Sequence, residues 1–439
     1  MGPTQYAALG IIAIAVYGIV RGLDVRLVLF LAALALGGVA GDITPVMQKF
    51  LDTFSDEKFV LPICSAMGFA YVIRHCGCDQ HLVRLLMAPV RRMRSLVVPG
   101  VILTAFVVNI PVISQTSTAV CVGPVAIPLL RAAGFSPVAA AATLCLGASM
   151  GGELLNPGAP ELLTVSALTG MKTTDQARGT IPPVLAVYVT VAVLVFWVMN
   201  RRPVITDAPE TDLRSVANPE PINLLMALVP MIPLIFLFLT GPPWFVIPFP
   251  KHYLTPTESK FDARLIAVAM LIGVAAAALV TPRKAKDSMK QFFEGAGYGF
   301  GTVVSLIVVA NCFGEALKHV GLAQVLGSVI AASPGLLVPL SAIGPWAFAM
   351  MCGSGMASTQ SLYGFFHAPA VELGQDPNAL GAIVSLAAAA GRTMSPVAAV
   401  VLMCGTITGA TPFAIIRKLA LPLVSGLLAV VVLRMAGVI

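Results

Sequence analysis

The chain is a succession of apolar runs long enough to cross a bilayer as helices, and two of those runs are broken at matching places. About twenty apolar residues span the hydrocarbon core as a helix. Runs at 6–20, 25–41, 59–76, 137–169, 181–200, 222–240, 262–280, 296–317, 378–408 and 419–438 meet that length or come close to it. Such runs exclude a β-barrel, whose strands are about ten residues of alternating polarity. Over 439 residues, 58% are hydrophobic and 11% charged, whereas a soluble domain carries roughly a quarter charged residues. The fold class this implies is an all-α polytopic membrane protein. The N-terminal run has no basic start and no small-residue cleavage pattern, so it is expected to be a first span.

Two further apolar stretches, 95–133 and 335–372, carry polar middles: "NIPVISQTSTAV" at 109–120 and "CGSGMASTQS" at 352–361. A stretch that enters, turns at a polar tip and returns is a re-entrant hairpin, tolerated at membrane depth only where protein or water satisfies its backbone. Basic clusters agree with that reading. With residue 1 outside, the inside loops hold Arg21–Arg26, Arg84–Arg94 (including Arg91 and Arg92), Arg131, Arg201–Arg202, Arg283–Lys290 and Arg417–Lys418. The outside loops are then 42–58, 241–261 and 372–377. The positive-inside rule is met across the chain only if neither hairpin crosses, and both termini then lie outside. The net charge of +7 is accounted for by these loops and not by nucleic-acid binding. The eight cysteines lie mostly within apolar runs and are expected to be buried small side chains.

The two halves repeat. "RHCG" at 74–77 corresponds to "KHVG" at 318–321, Pro137 to Pro377, "GELLNP" at 152–157 to "GRTMSP" at 391–396, and Pro182 to Pro422. The hairpins fall in the same order at the same offset. The first repeat is expected over 1–200, a cytoplasmic linker over 201–221, and the second repeat over 222–439. An odd number of crossings per half makes the second copy inverted. Interrupted helices at corresponding places in inverted repeats point to the midplane site of a secondary transporter. Stretches 79–93 and 322–333 are amphipathic, too short to span, and expected at the interface.

Broken helices expose N–H groups at one new end, which attract anions, and C=O groups at the other, which attract cations. The expected substrate site therefore combines both tips and both breaks. The first tip offers Asn109, Ser114, Gln115, Thr116, Ser117 and Thr118. The second offers Gly353, Ser354, Gly355, Ser358 and Thr359. Asn156 lies at the first break, where Asn156-Pro157-Gly158 is expected to end the helix. Arg392, Thr393 and Ser395 lie at the second. Glu153 and Arg392 occupy matching positions. Arg392 could hold a substrate carboxylate through its planar fork, or the two could form a structural ion pair. Glu153, Glu161 and Glu315 are candidates for proton or cation coupling. His367 is expected to be a packing residue, and His75 and His319 to lie at span ends. No Walker A, H-E-x-x-H or G-x-S-x-G motif is present, so no enzyme activity and no organic cofactor are expected. Transport would draw on a gradient of H⁺ or Na⁺, or on exchange.

The stretch "CGSGMASTQSLYGFF" at 352–366, followed by "AAGRTMSPVAAVVLMCGTITGATPFAIIRKLALP" at 389–422, resembles the C-terminal signature of the anaerobic four-carbon-dicarboxylate carriers of the DcuC type. That resemblance implies an inner-membrane carrier for succinate, fumarate, malate or similar dicarboxylates. It also implies kinship with the divalent anion:sodium symporters. From that kinship follow a homodimer and a scaffold domain with an elevator-like transport domain holding the hairpins and broken helices. Those symporters carry Ser-Asn-Thr at their tips, whereas here the tips read Ser-Gln-Thr and Gly-Ser-Gly. A carrier of monocarboxylates or amino acids on the same scaffold is the near alternative, and an anion channel the far one.

Overall fold

The computed structural model describes residues 2–21, 23–90, 96–200, 221–240, 254 and 258–439. The linker 201–221, the loop 241–261 and the cluster Arg91, Arg92 and Arg94 fall wholly or mostly outside the described residues, as do Arg201 and Arg202. Among the described residues every regular element is helical.

The first half opens with α1 (Pro3–Val20), α2 (Val25–Ala40) and α3 (Thr44–Phe54). It continues through α4 (Glu57–Cys76) and α5 (Cys78–Val90). A helical hairpin follows, of α6 (Val97–Val112) and α7 (Gln115–Ala132). Next comes a broken helix, α8 (Pro137–Ser149) and α9 (Pro160–Thr169), and then short α10 (Thr173–Asp175) and α11 (Ile181–Asn200). In the second half, α12 (Leu224–Leu228), α13 (Ile232–Thr240) and α14 (Glu258–Val280) precede α15 (Ser288–Gly299) and α16 (Ser305–His319). Then come α17 (Leu322–Ala332) and a second hairpin, α18 (Leu337–Cys352) and α19 (Gly355–Glu372). The second broken helix is α20 (Pro377–Thr393) and α21 (Ala399–Thr408), and α22 (Pro412–Met435) ends the chain.

Local chemistry explains these boundaries, and it repeats between halves. α4 and α16 stop at Gly77 and Gly321, which adopt φ +80° and +84°, the left-handed stop that glycine permits. α8 and α20 begin with Pro137 and Pro377 at the first position, where the missing N–H is harmless. They are capped by Ser136, whose Oγ accepts from Ala139 N at 3.2 Å, and by Asp376, which accepts from Asn378 N at 2.9 Å. The stretch 42–58, expected as a loop, contains the amphipathic α3. Its apolar residues lie on one face, as in the ring contact of Phe50 with Phe30 of α2.

Among the described residues, seven helical stretches are long and apolar enough to cross a membrane, 57–76, 137–169, 173–200 and 412–435 included. The first arm of the second hairpin, Pro334–Cys352, also reaches that length.

The packing mirrors the sequence repeat. α4 packs on α14 and α15, while α16 packs on α2 and α3. The α6–α7 hairpin embraces α8, and the α18–α19 hairpin embraces α20. α9 then meets α19, and α21 meets α7. The half-helices α8 and α20 are rich in alanine, and every residue from 380 to 393 is buried. Lipid gives no hydrophobic drive for helix association, so small side chains that allow close approach do this work. At Gly391 an added Cβ would lie 2.0 Å from the Trp346 carbonyl oxygen, so α18 can touch α20 only because that residue is glycine.

Candidate functional site

The first hairpin turns within three residues. Ile113 adopts φ 60°, ψ −48°, and Ser114 N donates to Val112 O at 2.6 Å. This is a γ-turn with positive φ at its centre, a rare and strained conformation for a branched residue. Ser114 then caps α7, its Oγ accepting from Ser117 N at 3.2 Å. The second tip has the same plan: Gly353 at φ 71°, then Ser354 capping α19 by accepting from Ala357 N at 3.2 Å.

The breaks differ from each other. α8 ends at Ser149, before the expected Asn156-Pro157-Gly158, because Gly151 at φ 99° terminates it and a 3₁₀ turn, Gly152–Leu155, follows. α20 continues through Arg392 to Thr393. Glu153 and Arg392 match in sequence, but one lies in a tight turn beyond its helix and the other in the last helical turn. The second segments agree again: Ala159 and Ala398 have the same extended conformation before α9 and α21.

These parts enclose a cavity of about 240 Å³, below the roughly 300–1,000 Å³ of drug-sized pockets. Four helices begin at its wall. α7 contributes Ser114, Gln115 and Thr116, and α19 Gly353, Ser354 and Met356. α9 contributes Gly158, Pro160 and Glu161, and α21 Ala398, Ala399 and Val400. Each N-terminus carries about half a positive charge and unpaired N–H groups, worth roughly 0.3–2 kcal/mol toward an anion. The opposite wall comes from Met67 and its neighbours on α4 and from Tyr298, Thr302 and Leu306 around a π-helical turn, Phe300–Val304, that joins α15 to α16.

Glu153 and Arg392, which are 1% and 5% exposed, meet inside the cavity. Arg392 Nη2 donates to Glu153 Oε1 at 2.7 Å and to the Ser149 carbonyl at 3.1 Å. Gln115 Nε2, from the first tip, donates to the same Glu153 oxygen at 2.9 Å. Glu153 N donates to Asn109 Oδ1 at 3.1 Å. Among the described residues, Glu153 Oε2, Arg392 Nε and Glu161 Oε2 have no hydrogen-bond partner. One arginine and two carboxyl groups thus lie buried around one small cavity.

The structure separates the remaining expected site residues by role. Asn109 is buried beneath the tip, where Nδ2 donates to Ile113 O at 3.2 Å and lies 3.4 Å from Thr118 Oγ1. Thr118 Oγ1 donates to Ser114 O at 3.0 Å. Asn156 Nδ2 donates to Ile110 O at 2.9 Å and Oδ1 accepts from Gly158 N at 2.9 Å. These three brace the first tip and break. Ser358 Oγ donates to Pro345 O at 2.7 Å, and Thr393 Oγ1 lies 2.8 Å from Ser149 Oγ. Ser395 Oγ accepts from Val397 N at 3.4 Å, while Ser117 supplies the backbone N–H that Ser114 caps and Thr359 is buried beside the tip. Gly355 lies against Arg392, with an added Cβ 3.3 Å from Nη1. Glu315 is not at the cavity: it pairs with Lys318 at 3.7 Å on a part-exposed face. His367 packs edge-on against Tyr363.

Sequence reasoning missed the α4 wall and Tyr298 and Thr302. The glycine-rich run "EGAGYGFGT" at 294–302 was the available signal, since a π-turn inside a helix often marks a functional surface.

The model of the DcuC family, described as C4-dicarboxylate anaerobic carriers, matches residues 57–439. The anaerobic C4-dicarboxylate transporter DcuC of Escherichia coli K12 is 25% identical over 378 residues, covering 83% of this chain and 78% of that protein. An uncharacterised transporter of Haemophilus influenzae is 26% identical over 276 residues, covering 61% of this chain and 95% of that protein. Among solved structures, the YdaH transporter of Alcanivorax borkumensis superposes with a TM-score of 0.61 at 16% identity, covering 93% of this chain and 96% of that one. MtrF of Neisseria gonorrhoeae, described among antimetabolite efflux pumps, gives 0.63 at 14% identity, with 90% and 84% covered. At those identities the likeness concerns the fold alone.

Proposed function

The chain belongs to the C4-dicarboxylate anaerobic carrier family, and from that premise we propose that it is a secondary active transporter moving succinate, fumarate, malate or similar dicarboxylates across the inner membrane by alternating access. The observation that carries this reading is the convergence of four helix N-termini and Arg392 on one small cavity. Preorganised N–H groups suit carboxylate oxygens, and an arginine fork suits one carboxylate bidentately. The tip hydroxyls of Ser114, Thr116 and Ser354 complete the donor set.

The cavity also holds Glu153 and Glu161. A dianion entering beside two carboxylates cannot cross a low-dielectric barrier unaccompanied, because each uncompensated buried charge costs several kcal/mol. Coupling to H⁺ or Na⁺, or obligatory exchange, follows. The two halves form inverted repeats, the hairpins are re-entrant and both termini face outside. The tips and breaks make up a transport domain that slides against a scaffold including α4, α15 and α16, in a homodimer. The cavity wall divides along that line. A second reading has one observation in its favour: two carboxylates beside one arginine also suit an amino acid, with its ammonium toward Glu161.

Thermal stabilisation of the purified protein by a carboxylate panel separates the readings, since a ligand of the folded state raises the melting temperature. Stabilisation by succinate and fumarate but not by acetate or alanine is expected. A response to amino acids alone would replace the substrate and keep the fold.

A further inference from the structure

Arg392 is the cavity's cation, yet its Nη2 is already occupied by a carboxylate of the same chain at 2.7 Å. Resting on the carrier reading above, we propose that Glu153 is an internal competitor for substrate: its carboxylate and a substrate carboxylate alternate on Arg392, and Glu153 takes up a proton each time it yields.

The geometry fits an exchange in which little else moves. Arg392 stays anchored through Nη2 to the Ser149 carbonyl, and Nε has no partner among the described residues. The Glu153 backbone is pinned by Asn109, so only its side chain needs to swing. Gln115 Nε2 donates to Oε1, a bond that serves a neutral acid as well as a carboxylate. Oε2 is buried without a partner among the described residues, and it is the atom that receives the proton. The proton comes from bulk water, forms one O–H bond, and returns to water when Glu153 recovers Arg392. Without it, substrate binding would leave a carboxylate that is 1% exposed with no cation, an arrangement proteins do not sustain.

The groups facing Glu153 from each packed element are compatible with one proton site. On α9, Glu161 faces the same cavity as a second carboxyl group, and Glu161→Gln below tells the two apart. On α11, Tyr188 is buried. On the α15 wall stands Tyr298. On α6, Asn109 is uncharged. Arg178, in the π-turn Gln176–Thr180 that follows α10, is turned away, donating to the Phe238 carbonyl and stacking on its ring at 5.0 Å.

The test is calorimetric titration of succinate into the purified full-length protein from about pH 6.5 to 8.5, above the usual carboxylate range, in two buffers of different ionisation enthalpy. Wild type should bind more weakly as pH rises, approaching tenfold per unit, with close to one proton taken up per succinate. Glu153→Gln should lose that slope and bind at the high-pH end at least as tightly as wild type does at the low end. Glu161→Gln should keep the slope. Retention of the slope in Glu153→Gln, or weaker binding at every pH, overturns the proposal. Should Glu153→Gln not fold, Glu153→Asp keeps the proton site but reaches Arg392 less well, so high-pH affinity should rise; a fall overturns it. If wild type ignores succinate, the dicarboxylate reading fails, and the same titration with L-alanine, whose carboxylate needs the same guanidinium, decides the competition alone. Absence of the slope with both ligands overturns it.

Discussion

Replacing Arg392 by methionine removes the guanidinium and keeps an unbranched chain of similar reach. Glu153, 1% exposed, then loses its cation and keeps only the Gln115 amide and whatever water enters the cavity. Breaking a buried pair by deleting one partner costs about 3–5 kcal/mol, whereas replacing both partners by neutral groups is often close to neutral. Arg392→Met should therefore destabilise by that amount, and Glu153→Gln in the same background should restore most of it. At about 2.1 cal/mol/K per residue, a chain of 439 residues unfolds with an entropy of roughly 0.9 kcal/mol/K. The single variant should melt about 3–6 °C below wild type, and the double variant within about 2 °C of it. Melting curves of wild type, both single variants and the double variant, in one detergent, give the coupling directly. Additivity within about 0.5 kcal/mol would refute the reasoning, since it would mean that the two charges do not depend on each other.

Other features of the fold and site make their own demands. Gly391→Ala should lower the melting temperature by several degrees, since its Cβ would meet the Trp346 carbonyl at 2.0 Å, while Gly10→Ala, with nothing within 4 Å, should be silent. Ser114→Ala and Ser354→Ala each remove a helix cap worth about 1 kcal/mol, and because both side chains line the cavity, succinate affinity should fall by more than stability does. Glu315→Gln should change stability by less than about 0.5 kcal/mol, as expected for a part-exposed i,i+3 pair, and leave the pH dependence of transport intact. A lost pH dependence would return Glu315 to the list of coupling residues.

The parts of this molecule that were legible in the sequence are those set by local chemistry. Ser114 and Ser354 stood out as tip hydroxyls, and each also caps the helix that restarts there. Pro137 and Pro377 had to begin helices, and Gly77 and Gly321 had to end them. The polar tips located both hairpin turns to within a residue or two. What escaped depends on neighbours distant in sequence. α8 is buried on all sides, so its hydrophobicity has no period, and nothing local distinguishes Gly151, where it ends, from Pro157, where it was expected to end. Asn109, Asn156 and Thr118 have the chemistry of ligand-binding groups, but the nearest backbone carbonyls, hydroxyls and N–H groups occupy them. Glu315 was an ionisable residue in an apolar run; its i,i+3 partner Lys318 was local and visible, but that this face of α16 lies away from the cavity depends on tertiary packing. Glu153 and Arg392 stood at matched positions in the sequence, and only the tertiary structure shows their side chains 2.7 Å apart.

The central claim is that the cavity carries a dicarboxylate and that Arg392 holds it. Counterflow of labelled succinate into proteoliposomes preloaded with unlabelled succinate, compared between wild type and Arg392→Lys, tests it most directly. A lysine keeps the charge but not the planar fork. Transient accumulation in wild type and its loss in a folded Arg392→Lys protein is the expected result. Equal counterflow in the two proteins, or none with succinate in wild type, would contradict the account.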